Sequence, residues 1–122
     1  MKTKIIATPV TRIVNAKYSQ LVEPFLFYSE ILGRWVTIPV GFIFDWESVP
    51  MFRGSNPVCG LIHDYLCRKD SDPVVSKMVA ADVYSEFMIY MKTPWWKQQL
   101  KHKSVIVAWG YFHKLNVLES PI

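Results

Sequence analysis

The chain has 122 residues, a length suited to one compact domain, residues 1–122, around a single core. It is 51% hydrophobic and 15% aromatic against 20% charged, which excludes a disordered or acidic solvating segment. The net charge of +4, from 14 Lys and Arg against 10 Asp and Glu, is too small for a nucleic-acid footprint, so no nucleic-acid partner is expected.

The first half, residues 1–50, reads as β-rich. Segments 4–15, 21–29 and 34–44 are rich in Val, Ile, Phe and Thr, with Pro or Gly between them or at their ends. Phe25–Ser29 and Arg34–Ile38 are joined by Glu30–Gly33, a short connection ending in glycine, which predicts a hairpin. Pro9, Pro24 and Pro39 each lack a ladder donor, so the strands should be short or lie at edges.

The second half, residues 55–116, switches to helical period. Pro57 opens a segment whose apolar positions Val58, Leu61, Ile62, Tyr65 and Leu66 recur at helical spacing. Asp72-Pro73 reads as an N-cap followed by proline, predicting a helix to about Met91. Thr93-Pro94 repeats the signal for a last helix ending near Leu115-Asn116. The expected class is α+β: a small antiparallel sheet followed by three helices packed on it.

Targeting signals and disulfides are not expected. Only a three-residue apolar run, Ile5–Ala7, follows the first basic residues, against roughly 7–15 for a secretory signal. The longest apolar run, Val105–Phe112, has eight residues, short of the roughly 18 a spanning helix needs. A cytoplasm is the expected location. Cys59 and Cys67 fall in one helix about 12 Å apart, beyond the roughly 7 Å limit of a disulfide, so both should be buried thiols.

Five polar residues stand out. On a helical wheel, Val75, Met78, Val79 and Ile89 form an apolar stripe with Asp82 in its middle and Glu86 one turn later. A carboxylate facing the core is costly unless it is hydrogen-bonded, paired or bound to a cation, so Asp82 is either a brace for a neighbouring loop or a ligand. His63 shares a face with Cys59 and Cys67, while Asp64 and Arg68 have the i, i+4 spacing of an ion pair. Asp45 and Ser48 lie in the otherwise apolar segment between sheet and helices. They either brace a turn or bring Asp45 to His63, Asp64 and Asp82, a set that suits a divalent cation or a water-activating pair. A Ser48–His63–Asp triad can be drawn, although no nucleophile elbow surrounds Ser48. There is no glycine-rich phosphate loop and no H-E-x-x-H helix, and no histidine precedes His63 as "HD" phosphohydrolases require. Lys97, Lys101, His102 and Lys103 beside Trp95-Trp96 are a mixture that base stacking or an anionic membrane surface could use, and they read first as a solvated helix end with its aromatics turned to the core.

One set of residues resembles a known family. Tyr28, then Gly33-Arg-Trp-Val-Thr-Ile-Pro-Val-Gly-Phe42, Phe44-Asp45-x-x-Ser48-Val-Pro50, His63-Asp64-Tyr65-Leu66, Ala81-Asp82 and Trp109-Gly110 follow the motif order of a small phage and prophage family. That family is the domain of unknown function thirteen-fifty-three. Met51-Phe52 here precede Arg53 where the family has arginine directly, and Val107-Ala108 stand where it has another arginine. The resemblance implies phage or prophage origin among late genes near tail and lysis functions.

Three functions compete on these grounds. The first is a phage accessory protein, associated with the virion or its tail. It would work through contacts with a phage structural protein, a host protein or a second copy, with the Asp/His cluster bracing the fold. The second is a hydrolase of peptidoglycan or a nucleotide dependent on one divalent metal ion. Asp45, His63 and Asp82 would hold the ion, and Asp64, with Ser48 as a further candidate, would serve catalysis. The third is an inhibitor of a host or defence component.

Overall fold

A computed structural model describes residues 1–45, 57–92, 109 and 113–121 of the chain. Among these residues six short strands precede two helices: β1 (Lys4–Ile5), β2 (Thr11–Ile13), β3 (Tyr18–Leu21), β4 (Phe25–Ser29), β5 (Arg34–Ile38), β6 (Ile43–Asp45), α1 (Pro57–Cys67) and α2 (Lys77–Tyr90). The α+β class stands, with a different layout from the one expected. The strands form two antiparallel three-stranded sheets, β1-β4-β5 and β2-β3-β6, where one was predicted. Pro24 directly precedes β4 and Pro39 directly follows β5, each bounding a ladder where its missing N–H would be needed, and Pro9 falls in the connection from β1 to β2.

The predicted hairpin is present, with Phe25 opposite Ile38 and Ser29 opposite Arg34. Gly33 closes it at φ 67°, where a side chain would be strained, and its amide donates to the Ser29 carbonyl at 2.8 Å. Phe25, Phe27 and Ser29 on β4, with Val36 and Ile38 on β5, turn inward. The second sheet is tied at its β3–β6 end by Gly41, whose amide donates to the Leu21 carbonyl at 2.9 Å.

The helices divide the core between the sheets. α2 meets the first sheet, with Phe87 edge-on to Phe27 at a centroid distance of 5.2 Å. α1 packs against β6 and α2, and every residue from Val58 to Cys67 is buried. Tyr65 stands edge-on to Phe42, 5.8 Å away. A helix covered all round is the central element of its core, not an amphipathic cover, so polar residues within it are forced inside.

α2 begins four residues later than the sequence predicts. Its N-cap is Ser76, whose hydroxyl accepts from the Val79 amide at 3.2 Å. Asp72 is occupied elsewhere: its carboxylate pairs with Arg34 at 3.2 Å, and its amide donates to the Tyr65 hydroxyl at 2.9 Å. The third expected helix falls mostly on residues 93–108 and 110–112, outside the described residues. Trp109 is helical and accepts from the His113 amide at 2.9 Å. The chain beyond it lies along the end of α1, where the Val117 amide donates to Asp70 at 2.6 Å and Lys69 donates to the Leu115 carbonyl at 3.1 Å.

Candidate functional site

The central helix carries a buried polar cluster. His63 and Asp64 are both 0% exposed, and Arg68, just past the helix end, is 1% exposed. The His63 ring stands edge-on to Tyr84 of α2, 5.5 Å between centroids, and Cys67 Sγ lies 3.5 Å from each of its nitrogens. Burial pushes the Cys67 thiol far up, and the neighbouring Asp64 carboxylate pushes it in the same direction, with Arg68 opposing both. Cys59 is likewise a buried free thiol, so the two cysteines behave as the sequence predicts.

Arg68 anchors this cluster to the second sheet. Its Nη2 donates to the Ile43 carbonyl of β6 at 3.4 Å, and its guanidinium lies over the Phe42 ring, 5.1 Å from the centroid. Burial lowers its pKa, and the strongest opposing influence is the Asp64 carboxylate four residues back. The guanidinium remains charged at any ordinary pH. The i, i+4 relation of Asp64 and Arg68 is therefore an arrangement of opposite charges inside the core, not a surface pair. The signal was their spacing on a helix whose other positions are almost all apolar.

The remaining predicted residues do not all join them. Asp45 ends β6, the strand on which α1 packs, with its backbone opposite Tyr18 of β3, and its side chain lies outside the described residues. Ser48 also lies outside them. Asp82 is exposed. It sits two residues, or about 200°, round the helix from Tyr84, the side chain that meets His63. The stripe that was to carry it inward is largely an outer face: Met78 is 49% and Ile89 63% exposed. The buried face is Ala80, Ala81, Val83, Tyr84, Phe87 and Met88, because packing Phe87 against Phe27 and Tyr84 against α1 sets the phase. Among the described residues, no three of His, Cys, Asp or Glu gather closely enough to hold a metal ion.

Glu86, one turn on, is a brace of the kind the sequence offered to Asp82. One carboxylate oxygen accepts from Ser29 Oγ at 2.6 Å, and the other accepts from the Glu30 amide at 2.7 Å and from the Thr3 hydroxyl. Glu30 in turn accepts from the Thr3 amide at 3.0 Å. One half-buried side chain thus fastens α2 to the hairpin turn and to the start of β1. Beside this fastening an open groove of about 700 Å³ runs between the hairpin turn and α2. Among the described residues, Ile31, Ile89 and Tyr90 supply its apolar surface, and Glu30, Asp82, Glu86 and Lys2 line it.

Family comparison agrees with the motif order. A model for the family described as "Protein of unknown function (DUF1353)" matches residues 19–105. The chain belongs to DUF1353. The match takes in β3 from Ser19 on, β4 to β6, α1 and α2, and with them both the buried cluster and the α2 side of the groove. No curated protein matches, nor does any solved structure. No helix among the described residues is long and apolar enough to cross a membrane.

Proposed function

We propose that this DUF1353 protein works by contact, as an accessory protein of phage or prophage origin that is carried in or on the virion, at its tail. The surface it uses is the outer face of α2 with the hairpin turn. One observation carries this reading: the groove there exposes Ile31 at 50%, Ile89 at 63% and Tyr90 at 39%, whereas His63 and Asp64 are sealed at 0%. Large aliphatic side chains lining an open groove favour a protein partner. A histidine and an acid closed off from solvent serve packing and charge balance better than substrate turnover.

A photo-activatable residue at Ser85, which lines the groove, tests this in cells producing the phage. The expected result is one covalent adduct with a virion protein from Ser85 and none from Lys17, outside the groove, together with the protein in gradient-purified particles. No adduct from either Ser85 or Ile31 would overturn the contact reading. An adduct with a host protein alone would replace the virion with a host target, the inhibitor reading. Metal-dependent release of product from peptidoglycan or nucleotides, lost in His63→Ala, would replace contact with hydrolysis.

A further inference from the structure

We infer that two copies of this chain exchange β1, each supplying Thr3, Lys4 and Ile5 to β4 and α2 of the other. The contacts that hold these residues all reach far along the chain. Lys4 and Ile5 pair with Tyr28 and Phe27 of β4, and the Lys4 ammonium lies over Trp35, 5.2 Å from the ring centroid. Thr3 donates to Glu30 and to Glu86, and the Ile5 amide donates to the Tyr90 hydroxyl at 3.4 Å. Among the described residues, no hydrogen bond or strand pairing ties residues 3–5 to the connection that follows or to β2. A second copy can therefore take up the segment with every one of these contacts remade.

The connection after β1 is where a second copy adds something. β4 pairs with β5 along all five of its residues but with β1 only at Tyr28 and Phe27, although the same register puts Ile6 opposite Leu26. There the chain turns away toward β2 and leaves a gap of about 210 Å³, lined by Ile6, Val10, Pro24, Phe25 and Leu26 among others. Ile6 is 66% exposed, and Val10 and Leu26 are exposed as well. Straightened, the stretch from Ile5 to Thr11 reaches about 20 Å, enough to cross to an adjoining copy. Two such connections passing each other about a two-fold axis bring matching aliphatic residues to the gap and take them out of water. The exchange goes beyond the contact reading and meets it at one point: Lys2 and Thr3, which line the α2 groove, then come from the second copy.

The test uses the full chain carrying Lys4→Cys and Tyr28→Cys, positions that face each other across β1 and β4. A short bis-maleimide links the two new thiols in the folded protein, while Cys59 and Cys67 are buried and stay unmodified. Exchange predicts a covalent dimer on a denaturing gel, and Lys4→Cys alone should give none. Light scattering after size exclusion should show the wild type as a concentration-dependent dimer. Ile6→Ser changes an exposed side chain, so the single chain should fold as before, and it should raise the dimer dissociation constant about ten-fold. A flexible Gly-Ser insert after Ala7 should let the connection close on its own chain and favour the monomer.

A wild type that stays monomeric at every concentration would overturn the inference. So would a cross-link confined to one chain, even in a dimer, because the second copy then docks without exchange. A dimer that neither Ile6→Ser nor the insert weakens would also overturn it. Failure here can be told apart from failure of the contact reading. A Ser85 adduct with a virion protein alongside a single-chain cross-link leaves the groove right and the exchange wrong. A cross-link between chains with no virion adduct from Ser85 or Ile31 leaves the exchange right and the contact reading wrong.

Discussion

Two neighbouring helices treat their charged residues in opposite ways. α1 encloses His63 and Asp64 and leads into buried Arg68, whereas α2 holds Asp82 at the surface and Glu86 half-buried at a seam. The difference comes from how much of each helix is covered. α1 is enclosed on every side, so a charge there has to be balanced within the protein, and Asp64 with Arg68 provides opposite signs. α2 covers the first sheet with one face only, so its carboxylates can remain in water or bridge to backbone and hydroxyl donors. Residue type alone therefore says little about role here; enclosure decides it.

The largest test of that contrast is Arg68→Ala. It removes the guanidinium that stacks on Phe42 and opposes the Asp64 charge, so unfolding free energy in a denaturant titration should fall by about 3–5 kcal/mol. A loss below about 1 kcal/mol would mean that Asp64 and Arg68 do not depend on each other.

A second test uses alkali. Cys67 is held above its ordinary value near 9 mainly by burial, and burial likewise raises Tyr65 from 10.0. In the unfolded chain both groups lose protons at lower pH than in the folded one, so their contribution is intact below pH 9 and lost as pH rises past it. Stability should then decline by up to about 1.4 kcal/mol per pH unit for each group. Cys67→Ala should flatten the decline between pH 9 and 10, before Tyr65 adds to it. In the native protein at neutral pH, Cys67 should resist alkylation until the chain unfolds.

On α2 the effects should be smaller and should separate two acids one turn apart. Glu86→Ala leaves the Ser29 hydroxyl, the Glu30 amide and the Thr3 hydroxyl without their acceptor, and should cost about 1–3 kcal/mol. Asp82→Ala should change stability by no more than about 0.5 kcal/mol, as expected of an exposed helix position. Reversal of that order would place the brace on Asp82 and contradict the observed helix phase.

The sequence discloses the local features well. The hairpin over Phe25–Ile38, the helix start at Pro57, the buried thiols and the Asp64–Arg68 spacing can all be read from neighbouring residues. Interactions between distant residues are what it conceals. The split into two sheets depends on β1 pairing with β4 and β3 with β6, and nothing local marks either pairing. The phase of α2 is concealed for another reason, since the helix carries apolar residues on both sides. Met78 and Ile89 outweigh Ala80 and Ala81 in any hydrophobicity reading, yet the small alanines are the ones enclosed. Asp72-Pro73 imitates a helix start, but Arg34, 38 residues earlier, engages that carboxylate. In the site, only the α1 half, His63 and Asp64, was legible. Glu86 was visible only as the residue after Asp82 on its face.

The prolines between strands have a consequence for the crowded interior of a producing cell. Among the described residues the outer strands are β1, β5, β2 and β6, and apart from five-residue β5 none has more than three residues. These edges thus offer little straight backbone for a neighbour to zip onto. High expression should yield dispersed protein instead of fibrous deposits, despite the aromatic content of the chain.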